Sequence, residues 1–119
     1  MITRESLMEF FESTRQLLRS GQAMFNIDDA RLWSYFFTDS DRLRLEPAAS
    51  YLGDRGYKIW GYLAPESDGS NGVYLLRADR FARHTADSLE ERNRELNAVA
   101  DRFAVASYDG MDVGGFDAP

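Results

Sequence analysis

The chain has 119 residues, 44 % hydrophobic and 13 % aromatic, with a formal net charge of −6 at pH 7. One domain of this size buries about two-thirds of its unfolded surface, so it needs neither metal nor disulfide to hold it. It has no cysteine and one histidine, His84, which removes thiolate nucleophiles, Fe–S clusters, disulfides and any histidine-rich metal site.

The acidic balance repels a phosphate backbone and attracts a basic protein partner, so direct nucleic-acid binding is disfavoured. No run of apolar residues is long enough to span a membrane. The N-terminus, MITRESLMEFFESTRQLLRS, lacks the basic start and apolar middle of a secretory signal, and a cytoplasmic location is expected.

In chain order, residues 3–20 predict a helix. Thr3 is its N-cap, with Ile2 and Leu7 at the spacing of a hydrophobic staple, and Gly21 is its stop. Leu7, Phe11, Thr14 and Leu18 form one stripe, which should be buried against this domain or a second copy. A homodimer through this helix is one expected outcome. Residues 31–37, RLWSYFF, carry large side chains on both faces and read as a central strand. A second helix runs over 41–55, with Leu45, Ala48, Ala49 and Leu52 inward. Pro47 should lie in its first turn or kink it.

Residues 57–64 and 73–78 read as strands of a hairpin, joined by the turn residues SDGSNG at 67–72. Thr85 caps a third helix over 86–102, with Leu89, Leu96, Val99, Ala100 and Phe103 as its apolar stripe. AVASY at 104–108 starts a last strand, and the tail after Gly115 is expected to be loose. The order β-α-β-β-α-β after a first helix predicts an α+β, ferredoxin-like sandwich with a four-stranded antiparallel sheet. The expected division is an amphipathic helix over 1–25, the ferredoxin-like domain over 26–115 and a tail over 116–119. A short echo accompanies this order: Asp54-Arg55 and Asp101-Arg102 each close a helix just before a strand, 47 residues apart.

Most catalytic chemistries find no residues. A Ser–His–acid triad would have to use His84, which stands beside a helix start and reads as a surface or capping residue, and no G-x-S-x-G elbow occurs. No phosphate loop is present, and Asp68, Ser70 and Gly72 fail as a calcium loop because Val73 stands where glycine is needed. Neither a cofactor nor a metal is expected. In SYDGMDVGG, residues 107–115, Asp109 and Asp112 could pair as catalytic carboxylates, but Gly110 and Gly114 better suit a turn or bulge. Asp87, Glu91 and Glu95 share one helix stripe at i, i+4, i+8. Such a stripe is either a solvated face or a docking face for Arg and Lys side chains.

Residues 33–113 resemble the regulator of ribonuclease E activity B family. The features that carry the resemblance are LWSYFFTDSD, YLGDRGYKIWGY, SLEERNRELNAVADRF and the closing YDGMDVG. Met111 stands where the family commonly has an aromatic residue. The resemblance implies a ferredoxin-like fold and an acidic cytoplasmic protein. Such a protein binds an endoribonuclease and lowers its activity without chemistry of its own. On that reading Asp87, Glu91, Glu95, Asp109 and Asp112 form an acidic surface for a basic segment of the partner, while Tyr108 and Gly110 are structural. The alternative is a ligand-binding or enzymatic module with a site near Trp60, Tyr62 and Tyr108.

Overall fold

The computed structural model describes residues 2–22, 26–63 and 73–113. Its first helix, α1 (Arg4–Arg19), starts where Thr3 and Ser6 cap one another: the Thr3 hydroxyl accepts from the Ser6 amide, and the Ser6 hydroxyl accepts from the Thr3 amide, each at 3.1 Å. Leu7 and Phe11 point inward and are buried, while Leu18 is only partly covered. The Phe10 and Phe11 rings lie 6.4 and 6.1 Å from Trp33, so this helix packs on its own domain. Arg15 grips Asp28 with two hydrogen bonds of 2.8 Å and ties the outer side of α1 to the loop that follows.

The remaining elements are β1 (Arg31–Asp39), α2 (Arg42–Asp54), β2 (Lys58–Leu63), β3 (Tyr74–Ala82), α3 (Ala86–Arg102) and β4 (Ser107–Val113). The strands form one antiparallel sheet in the order β2-β3-β1-β4, the ferredoxin-like arrangement expected from the element order. Alternation along β1 sends Trp33, Tyr35 and Phe37 to the helix side, all fully buried. Leu45, Ala48, Ala49 and Leu52 of α2 meet them there, as do Leu89, Leu96, Val99 and Ala100 of α3. Each large apolar side chain so buried contributes roughly 1.5–3 kcal/mol. Pro47 does not shorten α2. It stands inside the helix on the exposed side, where water can reach the backbone carbonyl its missing N–H leaves free. The hairpin turn expected at 67–72, Gly114 and the tail lie outside the described residues.

The last strand begins at Ser107 rather than at 104. The reason is the end of α3. The Val105 amide donates to the Ala100 carbonyl at 2.9 Å and the Ala104 amide to Asp101 at 3.2 Å, with Ala104 left-handed at φ 56°. That is a Schellman close made without glycine, so no glycine marks it in the sequence. The α2 helix ends the same way, but with Gly56 at φ 94° in the left-handed position. In the YDG stretch, Phe36 pairs with Gly110 and Phe37 with Tyr108, so Asp109 is the extra residue of a β-bulge. Gly110 has φ 120°, and a Cβ there would meet only Ile2 Cδ1 at an ordinary 3.6 Å. Its requirement is therefore conformational rather than steric.

His84 is buried, not on the surface. Its Nε2 is hydrogen-bonded to the Tyr35 hydroxyl at 2.9 Å and its Nδ1 to Ser88 Oγ at 3.0 Å, while its ring stands edge-on to Trp33. Ser88 belongs to the reciprocal cap of α3 with Thr85, so the histidine braces that cap from inside. Burial, aided by the Arg92 charge, lowers its pKa to about 4.

Two backbone substitutions should move stability in opposite directions. Ala104→Gly should raise it by about 1 kcal/mol by relieving the left-handed strain, and Gly110→Val should lower it by about 1–3 kcal/mol. Urea unfolding midpoints check both. The histidine sets a pH dependence. In the unfolded chain it takes up a proton below about pH 6.5, while the folded protein resists until about pH 4. Its contribution to stability is therefore complete above about pH 6.5 and is lost as the pH falls toward 4, amounting to roughly 3 kcal/mol across that window. Unfolding free energy measured against pH should fall less steeply over this range in His84→Gln than in the native chain.

Candidate functional site

Tyr108 turns toward the helices. Its ring lies 5.1 Å from Phe37, and its hydroxyl donates to Asn93 Oδ1 on α3. The Asn93 amide donates in turn to Met111 Sδ at 3.6 Å. Asn93 is buried, and it holds the bulged strand against α3 from the inside. Burial raises the Tyr108 and Tyr35 hydroxyls above the usual phenol range, so both stay protonated and act as hydrogen-bonding groups. Sequence reading left Asn93 out, although a sign was present: it stands four residues after Leu89 and three before Leu96, a polar residue on an apolar stripe.

The acids of α3 point away from the core. Asp87, Glu91 and Glu95 are exposed on the outer face. Asp87 is held by Arg4 of α1 at 2.8 Å, Glu95 by Arg92 at 3.6 Å, and the neighbouring Glu90 by Arg94 at 3.6 Å. Glu91 has no cationic partner among the described residues. Asp109 is exposed at the bulge and lines a shallow hollow with Ile2, Asn97 and Tyr108. Asp112 is placed differently. It pairs with Ser34, whose side chain lies on the sheet face away from the helices, while Met111 beside it faces α3. The structure therefore gathers the three α3 acids on one stripe and puts Asp112 on the opposite side of the sheet.

That opposite side has its own buried charge. Asp79 is 1 % exposed; Arg77 grips it with hydrogen bonds of 2.9 and 2.8 Å, and the Trp60 indole N–H donates to it as well. Trp60 and Gly61 together oppose Arg77 in a second bulge, which leaves the Trp60 ring half-exposed beneath the Lys58 ammonium at 4.4 Å. Trp60 and Tyr108 thus lie on different faces and on strands at opposite edges of the sheet, so they do not share one site. The Tyr62 side chain lies outside the described residues. Among the described residues no three of His, Asp and Glu stand close enough to hold a metal ion, and no helix is long and apolar enough to cross a membrane.

A four-stranded antiparallel sheet in this order, its helices on one face and an extra helix in front, defines a ferredoxin-like α+β protein. The chain belongs to the RraB family, regulator of ribonuclease activity B, which matches residues 11–113. The match reaches further toward the N-terminus than the resemblance read from residues 33–113, and takes in the half of α1 that carries Phe11 and Arg15. Comparison with curated proteins gives no match.

Proposed function

We propose that this protein regulates a ribonuclease by binding it, without chemistry of its own, through the acidic outer face of α3. Membership of a family described as a regulator of ribonuclease activity carries the first part. The partner's contacting segment is basic, because guanidinium groups pair bidentately with carboxylates. Asp87, Glu91 and Glu95 form the centre of the face, and Asp109 flanks it from the bulge. Asp112, across the sheet, contributes through the general field of a chain with net charge −6. Arg4 of α1 holds Asp87 and the partly buried Arg92 approaches Glu95, but neither cancels the stripe. Exposed pairs at these distances contribute only about 0–1 kcal/mol each and are readily exchanged for a partner's cations. A cytoplasmic location goes with that role.

The stripe should act mainly on the rate of association, since complementary charge steers encounter and is screened over about 8–10 Å at physiological salt. Replacing Asp87, Glu91 and Glu95 together by lysine should slow association with the ribonuclease partner by at least about tenfold at low salt, with the fold unchanged by circular dichroism. Stopped-flow or surface-plasmon measurement at low and high salt tests this. An association rate indifferent to both salt and charge reversal would show the stripe to be a solvated face and nothing more.

A further inference from the structure

The arginines of the two Asp-Arg pairs that echo between the β-α-β halves meet in space. The Arg55 guanidinium lies over the Tyr51 ring at 3.7 Å from its centroid, and the Arg102 guanidinium approaches the same ring at 5.0 Å. From β3, Arg80 stands over Tyr57 at 5.3 Å. These five side chains line one cleft of about 490 Å³ between α2 and α3, with Leu52, Leu96 and Val99 among its apolar lining and Glu95 on its wall.

A cation near a helix C-terminus is favourable by itself, which accounts for Arg55 and Arg102 being arginines. It does not account for both turning to one tyrosine, nor for Arg80, which lies on a strand. Elsewhere in this acidic chain most arginines find carboxylates: Arg4, Arg15, Arg19, Arg42, Arg44, Arg77, Arg92 and Arg94 do, while the exposed Arg83 has no ion pair among the described residues. Arg55, Arg80 and Arg102 form no ion pair with any described residue. Three like charges around one hollow repel, and an anion in the hollow relieves that repulsion.

We infer that this cleft binds a small organic polyphosphate, a nucleoside diphosphate or a molecule of that chemistry. The volume falls within the range of about 300–1,000 Å³ common for ligand pockets. Three guanidinium groups lining one cleft supply charge-assisted donors for phosphate oxygens, and each lies within 5.3 Å of a tyrosine ring centroid. The apolar lining accepts a planar ring system, and the Glu95 carboxylate accepts a hydrogen bond from its amino or hydroxyl groups. An extended acidic peptide or a nucleic-acid strand fits less well. Leaving the cleft along α3, either would meet Glu95, Glu91 and Asp87 in turn, whereas a compact ligand ends before that stripe.

The test is calorimetric titration of the intact protein with ADP in metal-free buffer, with inorganic pyrophosphate, adenosine and a Glu-rich octapeptide as companions. ADP should bind saturably at one site, more tightly than pyrophosphate and far more tightly than adenosine. The Arg80→Ala/Arg102→Ala double variant should weaken ADP binding by at least about tenfold, the loss expected for charge-assisted hydrogen bonds. Arg102→Lys should weaken it less, and Arg94→Ala, on an arginine already paired with Glu90, should leave it unchanged. Circular dichroism on each variant confirms the fold. The inference is overturned if the folded native protein shows no saturable ADP binding at millimolar concentration. It is equally overturned if the double variant binds ADP as well as native, if pyrophosphate matches ADP, or if the acidic peptide is preferred to it. Each of these readings is independent of any ribonuclease, so their failure is distinct from failure of the docking face on α3.

Discussion

The alternation of β1 is the constraint on which the other elements depend. Trp33, Tyr35 and Phe37 all point one way, and each receives a different part of the chain. Trp33 takes the two phenylalanines of α1 and the edge of His84. Tyr35 holds His84 by its hydroxyl and packs on Tyr57 at the entry to β2. Phe37 takes Tyr108 of β4. A slip of one residue in β1 would turn all three rings to the far side of the sheet, so the register of the central strand cannot drift. Because α1 rests on Trp33, Leu7 and Phe11 of the first helix join the same core, while Leu18 stays partly covered.

Both faces of the sheet bury polar groups. On the helix side Asn93, Tyr108, Tyr35 and His84 are each given a partner by an adjoining element, and the buried carboxylate of Asp39 closes the end of β1. On the far side the buried group is a carboxylate, Asp79, held by a guanidinium and an indole. Breaking such a pair by removing one partner strands a charge, so single substitutions at Arg77 or Asp79 should be costly.

Much of this was legible in the sequence, and the misses have physical causes. The three helices, the sheet and the inward residues of α2 follow from periodicity and capping, which are local. The early start given to β4 failed because Ala104 adopts a left-handed conformation that normally calls for glycine, and alanine gives no sign of it. His84 reads as a surface or capping residue, and the cap half of that holds, but a lone histidine near a cap carries no mark of burial. The Tyr35 hydroxyl, 49 residues away, together with Ser88, makes an interior position tolerable. The α3 acids were correctly grouped by spacing, while Asp112 could be assigned a face only once the bulge at Asp109 had fixed which residues of β4 point inward. The arginine cleft lay beyond sequence reading: the Asp-Arg echo was visible, but nothing local shows that two arginines so far apart share one ring.

Asp39 gives the molecule a further property. Fully buried at the end of β1, it accepts from the Asp41 amide at the start of α2 and from the Ala106 amide before β4, each at 2.8 Å, with Arg44 at 3.5 Å. Those amides belong to opposite halves of the β-α-β-β-α-β repeat. Opening either half therefore leaves the carboxylate short of a donor inside the protein, a penalty the other half cannot make good. The two similar halves are thereby tied to one buried carboxylate. Slow hydrogen exchange at the Ala106 amide would report unfolding of the entire domain rather than fraying of its last strand.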